Sequence, residues 1–239
     1  GADLEMEQPI SLEEAFHGTE KTADFKTLVV CGECGGLGHF PKEGFAPCSA
    51  CDGRGEIKEA RKTFFGSFAQ VKTCGRCFGV GQIPNKTCKK CQGFGRVDIQ
   101  RAIKIEMAAG VADGQIIKIP KVGEAGERGA EKGDLYIRVK VRPHPVFTRE
   151  GDHLSTKKEL DLVDVLLGKK VIIKTIAGGT LNIEIPAGFN LPEKLKVAGE
   201  GMTRLGGYGR GDLHIQFEVR TPKKLNSKIK KLLDDLKEE

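Results

Sequence analysis

Cys31-Gly32-Glu33-Cys34-Gly35-Gly36-Leu37-Gly38 decides how the chain is read, because its pattern, CxxCxGxG, returns three more times. The other copies are Cys48-Ser49-Ala50-Cys51-Asp52-Gly53-Arg54-Gly55, Cys74-Gly75-Arg76-Cys77-Phe78-Gly79-Val80-Gly81 and Cys88-Lys89-Lys90-Cys91-Gln92-Gly93-Phe94-Gly95. A two-residue gap lets both sulfurs of one turn face a single ion about 2.3 Å away. The glycine two places after the second cysteine permits a positive φ and a tight turn that brings N–H groups towards the sulfurs. The second glycine starts the reversal into the next strand. Four couples supply eight thiolates, enough for two tetrahedral four-sulfur sites. Such sites have no open position and are structural, so two zinc ions per chain are the expected cofactors. Zinc binding is worth about 10–16 kcal/mol per ion in finger peptides, which can fold a segment too glycine-rich to make a core.

All eight cysteines lie between Cys31 and Cys91. In a secreted protein they could form four disulfides, but Gly1 to Leu4 do not open a basic-then-apolar export signal. Couples of this kind without such a signal favour reduced thiolates on metal in a cytoplasm or an organelle matrix. A redox-active dithiol is normally one couple at a helix start, which four matched couples do not resemble. The spacings also match no ferredoxin run, which argues against an iron–sulfur site.

The 239 residues suffice for two or three modest domains. Gly1-Ala2 reads as a cloning remnant and Leu4 already as strand, which predicts a fragment of a longer protein. No apolar run approaches the roughly 18 residues of a membrane span. The net charge of +6 comes from scattered basic residues, with no Trp and only two Tyr. A nucleic-acid binder carries a denser basic stripe interleaved with aromatics, so a solvated mixed-charge surface is the better reading.

A duplication organises the rest. Leu12-Glu13-Glu14-Ala15-Phe16-His17-Gly18 resembles Leu162-Val163-Asp164-Val165-Leu166-Leu167-Gly168, 150 residues on. Ala109-Gly110 with Ile117-Lys118-Ile119 matches Ala187-Gly188 with Leu195-Lys196-Val197, only 78 residues on, and Gly133-Asp134-Leu135 matches Gly211-Asp212-Leu213 at the same offset. The first copy therefore carries about 72 extra residues, which the cysteine segment accounts for. Period-two alternation around Leu4 and Met6, Ala23 and Phe25, Ile137 to Val141 and Leu213 to Val219 marks half-buried strands. Short helices are expected at Ser11 to Phe16, where Ser11 and Glu14 make a capping-box pattern, and at Val163 to Leu167. Arg142-Pro143-His144-Pro145 marks the joint between the copies. Beyond Thr221, Leu225, Ile229, Leu232, Leu233 and Leu236 form one stripe of an amphipathic helix, with Pro222 suited to its start.

These features resemble the C-terminal half of the class A DnaJ family, the forty-kilodalton heat-shock co-chaperones. The resemblance covers essentially the whole chain. Arg142-Pro143-His144, Phe147-Arg149-Gly151-Asp152 and Gly199-Glu200-Gly201-Met202 add to it. It implies a mostly β fold with two related β-sandwich-like domains in tandem. The first spans 1–30 plus 97–142 and the second 143–220, with a two-zinc hairpin at 31–96 inserted in the first and a dimerisation helix at 221–239. It also implies which couples share a metal: Cys31, Cys34, Cys88 and Cys91 hold one zinc, and Cys48, Cys51, Cys74 and Cys77 the other. Spacing alone leaves that pairing open, though an out-and-back hairpin is compatible with it.

The function implied is binding of unfolded client polypeptides, prevention of their aggregation and delivery to a seventy-kilodalton heat-shock chaperone of the DnaK type, by a homodimer. The family begins with a J-domain whose His-Pro-Asp triplet stimulates the partner's ATPase. The one His-Pro here is His144-Pro145, followed by Val146, so this chain is expected to bind clients without stimulating ATP hydrolysis. Strand addition at a sheet edge suits promiscuous binding, because it reads exposed backbone and apolar side chains. The family's groove falls on Leu4, Met6, Ala23, Phe25, Ile117 and Ile119, of which Phe25 and Leu4 lead. Ordinary core packing is the competing reading, above all for Ile117 and Ile119. For the terminal stripe, packing on the second β-domain competes with dimerisation. No catalytic residues are expected: His17, His39, His144, His153 and His214 form no triad, and Gly206-Gly207-Tyr208-Gly209 reads as a turn rather than a phosphate loop. The alternatives from other classes are a zinc-dependent nucleic-acid-binding module and a thiol–disulfide exchanger.

Overall fold

A computed structural model describes residues 1–63, 66–186 and 189–235, with the backbone alone for 60–63, 66–69, 128 and 232–235. Residues 1–6, 24–102 and 118–137 form one compact unit, and the rest of the described chain forms another.

The first strand, β1 (Leu4–Ile10), alternates half-buried Leu4, Met6 and Gln8 with exposed neighbours, as a strand with one covered face must. Helix α1 (Leu12–His17) follows. The Ser11 hydroxyl accepts from the Glu14 N–H at 3.1 Å, and the Glu14 carboxylate accepts from the Ser11 N–H at 2.9 Å. This is the expected capping box, and Leu12, Ala15 and Phe16 are buried beneath it.

The long strand β2 (Thr19–Val30) then enters the cysteine segment. That segment goes out along β3 (Phe45–Pro47) and β4 (Glu56–Thr63) and returns along β5 (Gly66–Thr73) and β6 (Gln82–Pro84). β4 pairs antiparallel with β5, and β3 with β6. The arm rejoins the domain through β7 (Arg96–Met107), which pairs with β2.

The first copy closes with β8 (Ile116–Ile119) and β9 (Leu135–Val141). The second copy contains β10 (Phe147–Glu150), β11 (His153–Asp161), α2 (Leu162–Leu166), the hairpin β12 (Val171–Lys174) and β13 (Thr180–Ile183), then β14 (Leu195–Val197) and β15 (Leu213–Arg220). Its sheet runs β10-β11-β15-β14, with β11 parallel to β15 and Leu154 opposite Leu213. The first copy's sheet runs β1-β9-β8. β1 corresponds to β11, β9 to β15 and β8 to β14, so the duplication in sequence is a duplication of topology.

Backbone hydrogen bonds repeat as well. Gly123 N–H donates to Gly133 O and Leu4 N–H to Asp134 O, both at 2.9 Å; Gly201 N–H donates to Gly211 O at 2.8 Å and Leu154 N–H to Asp212 O at 3.0 Å. A Cβ on Gly133 would lie 2.1 Å from Ala2 O, and one on Gly211 would lie 2.0 Å from Asp152 O. Only glycine allows the two chain segments to approach so closely at these matched positions. Leu135, Ile137 and Val139 of β9 are fully buried, as are Leu213 and Ile215 of β15, so the matched central strands form the heart of each copy.

The terminal helix, α3, spans Ser227–Asp235. It begins five residues later than Pro222 suggests, because Asn226 is the cap: its side-chain oxygen accepts from Ile229 N–H at 2.8 Å.

Candidate metal centres

All four CxxCxGxG copies fold into the same knuckle. The residue after the second cysteine is left-handed in each: Gly35, Asp52, Phe78 and Gln92 have φ between 51° and 60°. Both glycines that follow also have positive φ. The second of them turns its N–H onto the second cysteine's sulfur. Gly38 donates to Cys34 Sγ, Gly55 to Cys51 Sγ and Gly95 to Cys91 Sγ at 3.2 Å, and Gly81 to Cys77 Sγ at 3.3 Å. The glycine expected only to reverse the chain therefore also supplies the donor that stabilises a thiolate.

That glycine decides which knuckles pair. Cys31 N–H donates to Gly95 O at 2.9 Å, and Cys88 N–H donates back to Gly38 O at 2.8 Å. The inner knuckles do the same, with Cys48 to Gly81 O and Cys74 to Gly55 O, both at 2.8 Å. Each joint is too tight for a side chain: a Cβ on Gly38 would sit 2.1 Å from Gly93 O, and one on Gly55 2.4 Å from Gly79 O. Outer couples thus meet outer, and inner meet inner.

The result is two four-sulfur groups, Cys31, Cys34, Cys88 and Cys91, and Cys48, Cys51, Cys74 and Cys77. All eight cysteines are buried and none is in a disulfide. Sulfurs across each joint are 3.7 to 3.8 Å apart. A tetrahedron with Zn–S bonds of about 2.3 Å has S···S edges of about 3.8 Å. The two groups fit two zinc ions. Around each, the cysteines are themselves the core: among the described residues, Phe40 and Val97 are the partly buried hydrophobics on the first group, and Ile57 and Ile83 on the second.

The thiols are set up for exchange of protons against a cation. Burial works against ionisation of Cys34, but the N–H groups of Gly38 and Gly36 bring its pKa down to about 7. The amides of Cys77 and Arg76 hold Cys74 at about 7. Burial and the neighbouring thiols push Cys51 up to about 11. The Cys91 amide favours the Cys88 thiolate, yet burial and the adjoining thiols take that group to about 11 as well. A divalent cation replaces the protons that such crowded thiols otherwise share, so metal and acid compete.

A third cluster, His153, Asp212 and His214, is one that sequence reasoning does not anticipate. Asp212 and His153 are already engaged, and His214 stacks on His153. Asp212 accepts from Lys196 Nζ at 2.7 Å and from Gly199 N–H at 3.2 Å, and its own N–H donates to His153 Nδ1 at 3.0 Å. The first copy has the same turn with a carboxylate for the imidazole: Asp134 accepts from Lys118 and Lys121 N–H, and donates its N–H to Asp3. Lys196 holds the Asp212 carboxyl below its ordinary range, as Lys118 does for Asp134. The cluster is a repeated turn support, which explains it without a metal.

Of the residues assigned to client binding, Leu4 and Met6 lie half-buried on β1, and Phe25 half-buried on β2. Ile117 and Ile119 are half-buried on β8, and Ala23 is 1% exposed. In the terminal stripe, Leu225 is half-buried and Ile229 is 41% exposed. The side chains of Leu232 and Leu233, and all of Leu236, lie outside the described residues.

Two outcomes are expected. Gly38→Ala drives a methyl into the Gly93 carbonyl and lowers bound zinc from about two equivalents to about one, whereas Gly75→Ala, which meets nothing within 4 Å, leaves it unchanged; metal analysis after gel filtration reads both. Thiolates are the ligands and acid protonates them, so zinc bound at pH 7 is released as pH falls through about 5, followed with a zinc-sensitive dye.

Comparison with known proteins agrees with this architecture. The DnaJ C terminal domain family matches residues 4–222. "Chaperone protein DnaJ" of Fusobacterium nucleatum subsp. polymorphum is 38% identical over 238 residues, covering 100% of this chain and 60% of that protein. "Chaperone protein DnaJ 1" of Corynebacterium diphtheriae is 37% identical and covered over 64% of its length, and "Chaperone protein DnaJ" of Haloarcula marismortui is 35% identical and covered over 62%. The chain thus spans less than two thirds of the length of these relatives. Its match across residues 4–222, together with four paired CxxCxGxG knuckles, makes it a member of the DnaJ C terminal domain family.

Proposed function

We propose that this chain is the client-binding part of a co-chaperone: it holds unfolded polypeptides, keeps them from aggregating and, within the longer protein, passes them to a seventy-kilodalton heat-shock chaperone. The observation that carries this reading is the edge of β2. That strand pairs only with β7 among the described strands. Its other edge is a template for an incoming extended segment, and Phe25 stands half-buried on the same strand. Main-chain pairing supplies sequence-independent affinity, and a partly covered aromatic supplies an apolar contact that most unfolded chains can satisfy. Leu4 and Met6, on β1, extend the apolar lining. Ala23 is too buried to offer more than a floor.

Closed four-thiolate sites keep no open coordination position for substrate, which supports a binding role rather than an enzymatic one. The zinc arm, residues 31–96, acts as a rigid projection of the first β-domain, 1–30 plus 97–142; residues 143–220 form the second. Reduced, buried cysteines suit a reducing compartment such as the cytoplasm. No described helix is long and apolar enough to cross a membrane. Ile229 of α3 is 41% exposed and Leu225, just before the helix, is half-buried, which supports an apolar contact there with a second copy of the chain.

Phe25→Asp should weaken binding to a denatured model client by about tenfold or more, the loss of one buried aromatic contact, while zinc content and far-ultraviolet circular dichroism stay unchanged. Client binding that survives intact would remove the groove from β2. A chain ending at Thr221 should sediment at half the mass of the longer one; equal masses would reject α3 as the dimer contact.

A further inference from the structure

The open edge of β2 does not run the length of the strand. Near its end, Cys31 N–H donates to Gly95 O, on the β7 side. Backbone groups alternate sides along a strand, so Leu28, three residues earlier, faces the other way. There its carbonyl accepts from Ala125 N–H at 2.7 Å. The Thr27 hydroxyl donates to Gly123 O at 3.3 Å in the same stretch. The loop at 123–127 therefore already covers the edge at Thr27 and Leu28, like a fragment of one further strand. Upstream, Lys26, Asp24 and Thr22 share the side that Leu28 presents, and among the described residues no backbone bond from a loop reaches them.

Arg96 holds this loop in place. It follows Gly95 of the first zinc group, and its guanidinium reaches across to Ala125 O through Nη1 at 3.0 Å and to Glu127 through Nη2 at 2.7 Å. Both backbone groups of Ala125 are thus engaged, and the residue is 1% exposed. The loop is braced from behind as well, with Gly133 N–H donating to Glu124 O at 2.9 Å. Arg96 is 17% exposed and its Nε is buried without a partner. What its position secures is the pair of contacts made by the Nη groups.

We propose that the loop at 123–127, positioned by Arg96, is a stop that ends a client strand at Lys26 and so fixes its register on β2. Because a shift of one residue exchanges the two faces of a strand, such a stop selects which client side chains turn towards Phe25. The proposal rests on the client-groove reading and adds its boundary.

Residue-resolved amide hydrogen exchange on the full chain, with and without a synthetic extended peptide of alternating leucine and threonine, tests it. Exchange at Thr22, Asp24 and Lys26 should slow by about tenfold or more on peptide addition, with Leu28 and Val30 unchanged. In Arg96→Met, with zinc content still full, protection should spread to Val30. Protection that reaches Val30 in the unmodified chain, or a footprint that Arg96→Met leaves unaltered, overturns the stop while leaving the groove. Absence of protection anywhere on β2 overturns the groove reading, and the stop with it. Should Arg96→Met fail to fold, the footprint on the unmodified chain decides.

Discussion

The reciprocal joint between two cysteine knuckles is the constraint on which the rest depends. Each joint brings four sulfurs to 3.7–3.8 Å across it and closes through a pair of N–H···O bonds between the first cysteine of one copy and the last glycine of the other. Among the described residues of the hairpin, apolar packing on the two sulfur groups is sparse. Two partly buried hydrophobic side chains among the described residues pack on each group, worth about 1.5–3 kcal/mol apiece even if fully buried. Metal binding, at about 10–16 kcal/mol per site, stabilises the arm far more. The zinc ions take the place of a core.

The two β-rich copies follow different packing rules. In both, the stabilising element is a central strand, with Leu135, Ile137 and Val139 buried on β9 and Leu213, Ile215 and Phe217 on β15. Each is supported by the same glycine-closed turn and the same lysine–aspartate pair. The cysteine segment leaves from β2 and returns to β7, strands that pair with each other. Arg96 stands where the two systems meet, one residue past the glycine that bonds Cys91 and in contact with the loop that covers the end of β2. A strand edge left open along its whole length invites pairing in any register, and this loop shortens that exposure.

Much of this is legible in the sequence because it is written in periodicity and spacing. The cysteine couples, the period-two strands, the Ser11–Glu14 cap and the offsets of 150 and 78 residues all report local geometry or simple repetition. The pairing of outer with outer knuckle is different in kind. It is fixed by the close approach of Gly38 to Gly93 and of Gly95 to Gly36, contacts between residues far apart in the chain that no spacing rule encodes. The start of α3 is misplaced by a sequence reading because Pro222 is a permissive signal, whereas Asn226 provides an actual acceptor for the first turn. The grouping of His153, Asp212 and His214 escapes such a reading because β11 and β15 are adjacent only in the fold. Its signal is nonetheless present, in the repetition of Lys118 and Asp134 as Lys196 and Asp212.

X-ray absorption spectroscopy at the zinc edge, on purified protein of known metal content, tests the central claim most directly. Two zinc ions per chain are expected, each with four sulfur neighbours at about 2.3 Å and no nitrogen or oxygen in the shell. A mixed sulfur–nitrogen shell, a single equivalent of zinc, or sulfur–sulfur bonds in place of metal would contradict it.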